Sequence, residues 1–152
     1  MEYEKIWNKT LGGDEKVEFE FSIGKKYRIM GLILWGFISL MFSSKIAITA
    51  VIFLIALFYY GYYLKAANAF ALTNKRVIAH KGWLNTYTNS VEYSKITDVH
   101  VKEPFFDKVL TQTGNIGVET AGFGSLLILR HVDAPYEIKK KLDTLKDAAR
   151  KA

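Results

Sequence analysis

Ile46-Ala47-Ile48-Thr49-Ala50-Val51-Ile52-Phe53-Leu54-Ile55-Ala56-Leu57-Phe58 is apolar on every side of a helix, with no polar stripe to face water. It opens a run of 19 uncharged residues, 46–64, and another of 16, 29–44, precedes it with Lys45 between them. At a rise of ~1.5 Å per residue 29–44 makes a rod of roughly 24 Å and 46–64 one of roughly 28 Å, against a bilayer hydrocarbon core of ~30 Å. The second of these in chain order spans alone. The first spans once Tyr27 joins the helix and Lys25, Lys26 and Arg28 snorkel toward headgroups. A buried helical hairpin in a soluble protein is the plain alternative, and the missing polar stripe argues against it. A cleaved signal peptide fits poorly, because the apolar run starts late and a second one follows it.

Charge and aromatics give this hairpin a direction. Basic residues flank both of its ends, Lys25, Lys26 and Arg28 before it and Lys65, Lys75 and Arg76 after it, while the turn offers only Lys45. By the positive-inside rule both termini are cytoplasmic. Tyr27, Tyr59, Tyr60, Tyr62 and Tyr63 gather at the same leaflet, where an apolar ring with a water-seeking hydroxyl is at home. The expected address is the inner (cytoplasmic) membrane, crossed twice. Net charge is +6, spread as neutral over residues 1–28, +2 over 65–135 and +3 over 136–152. No dense basic cluster of the nucleic-acid-binding kind is present, and the excess suits an anionic leaflet. The 152 residues contain no cysteine, which excludes disulfides, thiol nucleophiles and thiolate metal sites.

Three segments follow: an N-terminal cytoplasmic stretch over 1–24, the hairpin over 25–65 and a soluble domain over 66–152. In the first, Val17, Phe19, Phe21 and Ile23 alternate with polar residues, the period of a half-buried strand. A lone strand is unstable, so it is expected to pair with the sheet after the hairpin. Beyond the hairpin the spacing predicts strands over 68–73, 76–80, 83–88, 91–93, 96–103, 115–120 and 125–131. Turns are expected at Asn74-Lys75, Asn89-Ser90 and Ala121-Gly122-Phe123-Gly124. Residues 105–110 read as a short insert with Phe106, Val109 and Leu110 facing inward. A final helix begins with Asp133 as N-cap and Pro135 in its first turn; Ile138, Leu142, Leu145 and Ala149 make its apolar stripe. Many short strands and one amphipathic helix predict a mainly β, α+β domain: a small sandwich or open barrel plugged by that helix.

Several pieces in order then resemble a known family. Phe70-Ala71-Leu72-Thr73-Asn74-Lys75-Arg76-Val77-Ile78 with Gly82 is similar to the opening hairpin of the bacterial PH-like domain that occurs beside membrane hairpins. Tyr93-Ser94-Lys95-Ile96-Thr97-Asp98-Val99 resembles its central strand, and Phe106-Asp107-Lys108-Val109-Leu110, Gly114-Asn115-Ile116 and Thr120-Ala121-Gly122 continue it. Glu92 stands where the family often has proline, and glycine is missing near Thr111 and Gln112. The resemblance implies a membrane-anchored PH-like split β-barrel capped by a C-terminal helix, behind a two-helix transmembrane hairpin. It implies no catalysis, no cofactor and no established ligand.

The residues carry little chemistry of their own. His80, His100 and His131 lie on three separate predicted strands without metal-ligand spacing, and Ser125 is outside any Gly-x-Ser-x-Gly elbow. No phosphate-cradling loop or dinucleotide fingerprint occurs. Lys75 and Arg76 are the candidate headgroup contacts, since eukaryotic PH domains that hold inositol phosphates use basic residues at the corresponding hairpin; Lys65 and Lys95 are the additions within plausible reach. The simpler reading is a solvated turn near lipid. Two functions are therefore expected: an interaction or scaffold module, as accessory subunit of a membrane or envelope complex, or a sensor of anionic phospholipid headgroups. The expected partners are the bilayer and a second copy or sister membrane protein, with no nucleic acid.

Overall fold

The computed structural model describes residues 3–42, 46–121 and 126–151. Seven strands form two antiparallel sheets. β1 (Val17–Ser22), β2 (Asn68–Thr73), β3 (Arg76–Lys81) and β4 (Tyr87–Glu92) lie side by side in that order, and β5 (Ile96–Lys102), β6 (Thr113–Thr120) and β7 (Leu126–Asp133) make the second sheet. Between β1 and β2 the chain leaves the sheet as α2 (Lys25–Phe42) and returns as α3, a helix over Ile46–Ala66 whose Leu57–Tyr63 portion is wound as a π-helix. α4 (Pro135–Lys151) follows β7.

The alternation over 17–23 does make a strand, and it pairs as expected: Phe21 faces Phe70 and Ser22 faces Ala69 across the β1–β2 ladder. The inner faces of both sheets share one core. Phe70, Leu72, Val77, Tyr93, Ile116, Val118 and Leu129 are fully enclosed, and Ile138 and Leu142 of α4 close it. Leu145 packs at the edge of this core, whereas Ala149 is exposed. β2 is buried almost throughout, which the sequence left unexplained. The cause is α1 (Glu4–Thr10), absent from the sequence reading: its Trp7 lies on the outer face of the sheet against Ala69, Ala71 and Ile78. Small residues on that face of β2 make room for the indole, whose Nε1 donates to Glu20 Oε2 at 2.9 Å.

Four local expectations change. The strand over 83–88 starts only at Tyr87, and Asn89-Ser90 lies inside β4, in register with Ala79 and Ile78, instead of forming a turn. Gly82, at a φ of +98°, ends β3 and leaves 83–86 as loop. The insert at 105–110 turns Phe106, Val109 and Leu110 outward, not inward, because the core opposite is already filled. Asp133 caps a different helix: its Oδ2 accepts from the Lys25 N–H at 3.0 Å, at the start of α2, while the carbonyl of Ala134 serves the first turn of α4. The expected turns at Lys45 and at 121–124, and Ser125, fall largely outside the described residues.

Removing Leu142 tests the closure by α4. Leu142→Ala in the full chain should cost about 2–5 kcal/mol, measured by urea unfolding in detergent, and Trp7→Ala about 3–5 kcal/mol. An unchanged midpoint for either would show that its helix is peripheral to the fold.

Candidate functional site

The functional geometry follows from the two poles of the barrel. β2 enters from α3 at Asn68 and ends at Thr73, so the Asn74-Lys75 turn stands one strand away from the hairpin, roughly 17 Å at ~3.3 Å per residue. Lys75, Arg76 and Lys95 come together at this distal pole, where Arg76 faces Glu92 across the ladder and the Tyr93 N–H donates to the Lys75 carbonyl at 3.2 Å. Lys65 lies apart from them, at the hairpin base.

Two of these cations are engaged locally. Arg76 Nη2 meets Glu15 Oε2 at 2.7 Å and Nε meets Oε1 at 2.8 Å, a forked pair, and Nη2 also donates to the Thr10 carbonyl. Lys95 pairs with Glu92 at 3.1 Å on the exposed surface. Glu15 was not singled out in the sequence, since nothing local couples it to a residue 61 positions away. Burial pushes its carboxyl up, but hydrogen bonds from Arg76, Thr73 and the Gly12 N–H, with the charge of Arg76, more than offset this and hold it below 4.5. Lys75 is exposed at the tip of the turn.

The proximal pole is more intricately joined. The Gly24 N–H donates to the His131 carbonyl at 2.7 Å, and a side chain at Gly24 would collide with Asp133 and Thr113. Tyr27 stacks on the His131 ring at 3.9 Å between centroids, and His131 Nδ1 lies 3.0 Å from Asp107 Oδ2. Lys26 bonds Gln112, whose φ of 54° is left-handed. On the α3 side, Arg28 Nη1 donates to the Gly61 carbonyl at 3.1 Å, and a side chain at Gly31 would displace the Tyr60 ring.

Under these joints a groove of about 430 Å³ runs between β1, α4 and the helix bases. Lys25, Arg28, Lys65 and Lys141 line it, facing Glu20, Asp133 and Glu137, with Phe19 and Phe21 as its apolar wall. Lys141 Nζ sits 3.7 Å above the Phe19 ring. Arg28 Nε is buried without a hydrogen-bond partner, while its Nη1 is the group turned to Gly61. Among the described residues no group of His, Cys, Asp or Glu is arranged to hold a metal ion. His80 bonds Thr88, His100 approaches Glu119 at 3.5 Å, and the three rings stay apart on β3, β5 and β7.

Two antiparallel sheets closed by a C-terminal helix define a PH-like fold, a class of binding modules, and here a helical pair is threaded between its first two strands. The chain belongs to the bacterial PH domain family, whose model matches residues 24–150. Two solved structures share the architecture. One is a DUF1696 family protein with a pleckstrin-homology domain from Shewanella loihica PV-4, with a TM-score of 0.53 and 14% identity over 95% of this chain and 94% of that one. The other is a pleckstrin homology domain from Shewanella amazonensis SB2B, with a TM-score of 0.52 and 12% identity over 93% of this chain and 82% of that one. At such identities the likeness concerns the fold. No curated protein matches the chain.

The Glu15–Arg76 fork yields a pH test. A carboxyl depressed in the folded state adds stability above its unfolded value near 4.5 and loses it as pH falls through the folded value. Glu15→Gln should therefore cost about 1.5–3 kcal/mol at pH 7, with the gap to the parent protein closing in acid. A pH-independent gap in urea midpoints would mean the fork contributes no charge-linked stability.

Proposed function

We propose that this protein is a membrane-anchored PH-like interaction module that works by binding, not catalysis. In this reading α2 and α3 cross the inner membrane as a hairpin, with both termini and the barrel on the cytoplasmic side. The barrel serves as a scaffold or accessory subunit of a membrane or envelope complex. The observation that carries the reading is the apolar coat of the two helices. The barrel completes its own core, yet Leu40 remains 72% exposed, Ile46 90% and Ile55 63%. Such a surface is stable in hydrocarbon and costly in water.

One helix among the described residues, Ile46–Ala66, is long and apolar enough to cross a membrane by length and composition. α2 has 18 residues but holds Lys25, Lys26 and Arg28 in its first turn, so its span depends on those side chains reaching the headgroups. One feature supports a protein partner: an apolar notch of about 320 Å³, lined by Trp35, Ile52, Ile55, Ala56, Tyr59 and Tyr60, opens on the flank of the hairpin. A second copy or a sister membrane protein would fill the notch with side chains of its own helix.

The cysteine-free chain makes topology directly readable. Carbonate washing should leave the protein in the pellet. In spheroplasts, Lys45→Cys, between the two apolar runs, should react with an impermeant maleimide, and Lys75→Cys should react only after lysis. Release by carbonate would remove the anchored reading, and a protected Lys45→Cys would replace the hairpin with a segment that does not cross. Photo-crosslinking from Ile55 in native membranes should give an adduct with a second copy or another membrane protein; monomer alone would argue against a subunit role.

A headgroup sensor is the second reading, favoured by the cations that line the groove at the helix bases. In it Lys25, Arg28, Lys65 and Lys141 receive an anionic phosphate, while Lys75, Arg76 and Lys95 at the distal pole stand away from the bilayer that holds the hairpin. With the protein in nanodiscs of stated headgroup composition, Lys65→Ser with Lys141→Ser should reduce enrichment of phosphatidylglycerol over phosphatidylcholine. Lys75→Ser should leave it unchanged. Equal enrichment in all three proteins would exclude the groove as a selective site.

A further inference from the structure

We propose that two connections, the loop 83–86 and the short helical insert 105–110, embed their apolar side chains in the bilayer surface on either side of the hairpin, holding the barrel in one orientation. The proposal rests on the anchored reading above and adds to it a second, non-spanning contact with the same membrane. Loop 83–86 joins β3 to β4 in one sheet; 105–110 joins β5 to β6 in the other. Each presents large apolar side chains to the outside: Leu84 is 92% exposed, Phe105 72% and Phe106 71%, with Val109 and Leu110 beside them. Neither connection is needed to complete the core, which closes without them.

Their height and position point to lipid as the occupant. Trp83 lies edge-on to Phe58 and Tyr62 of α3, each at 6.1 Å between ring centroids. Those residues stand eight and four positions before the end of α3 at Ala66, roughly 6–12 Å along its axis. Trp83 therefore reaches up the side of the helix into the tyrosine zone, the level at which indole and phenol rings settle at a membrane interface. The insert is fastened to the other helix. Lys26 bonds Gln112, Tyr27 stacks on His131, and His131 holds Asp107, which fixes the insert beside the first turn of α2. Phe105, Phe106, Val109 and Leu110 thus continue the apolar surface of α2, and Lys108 among them suits an anionic leaflet. Apolar side chains with adjacent cations are how interfacial segments sit in a membrane, ~5–10 Å below its surface.

The test uses the full chain, which has no cysteine, in vesicles of phosphatidylethanolamine and phosphatidylglycerol. An environment-sensitive fluorophore is placed singly by Leu84→Cys, Phe105→Cys and Leu110→Cys, with Leu54→Cys in α3 and Lys75→Cys at the distal turn as references. The expected result is loss of fluorescence at 84, 105 and 110 with a lipid bearing a nitroxide near its ester end, and little loss with aqueous iodide. Lys75→Cys should behave in the opposite way, and Leu54→Cys should respond to a nitroxide deep in the chain. If 84, 105 and 110 are quenched by iodide as Lys75→Cys is, while Leu54→Cys is quenched from lipid, the two connections stay in water. This proposal then fails, the anchored reading survives, and the exposed patches become a surface for a soluble protein. Iodide quenching at Leu54→Cys would overturn both.

Discussion

The rung joining Ser22 to Ala69 governs the molecule. These residues are the last partners of two adjacent strands, and from this rung the chain departs as one helix and returns as another. Paired strands lie ~4.8 Å apart and packed helices 8–10 Å, so the transition must open within a few residues. Ser22 Oγ binds the carbonyls of Lys65 and Asn68, and the Gly82 N–H takes the carbonyl of Ala67 at 2.7 Å. Gly24 and Asp133 fasten the other strand's exit. The helices therefore continue the sheet and do not hang from it on a linker. A pivot of the hairpin would have to break ladder bonds.

That rigidity separates the surface chemistry into two poles. Strand length keeps the Lys75-Arg76 turn away from the hairpin, and there Arg76 is committed to Glu15, stapling the segment after α1 to the β2–β3 turn. At the other pole Lys25, Arg28 and Lys65 are held where the helices meet the barrel, and the groove lies among them. Basic residues of one composition thus have different uses according to their pole. Distal Arg76 secures the fold, and the proximal cations surround a cavity.

Much of the barrel was readable from alternation and turn residues, because a strand covered on one face leaves a period of two in the chain. β2 and β3 fell where the sequence put them, and β1 paired as its alternation required. The misreadings share a cause. Seven residues of α1 carry no side-chain cap, so that helix exists through Trp7 docking on a sheet sixty residues away. Tyr3, Ile6, Trp7 and Leu11 do recur at helical spacing, a signal that was present and too short to stand alone. The insert at 105–110 was apolar enough for the core, but sequence records hydrophobicity and not whether the core has room.

The sequence by itself determined the apolar helices, the strand vocabulary, the amphipathic closing helix and the absence of thiol chemistry, because each depends on composition or local periodicity. Only the tertiary structure decided that Asp133 caps α2, that Glu15 holds Arg76, that three of the four candidate cations share the pole opposite the hairpin, and which connections leave their apolar side chains outside. Those are relations between residues distant in the chain. They are set by the register of the strands and by which surfaces were already covered when the last elements packed.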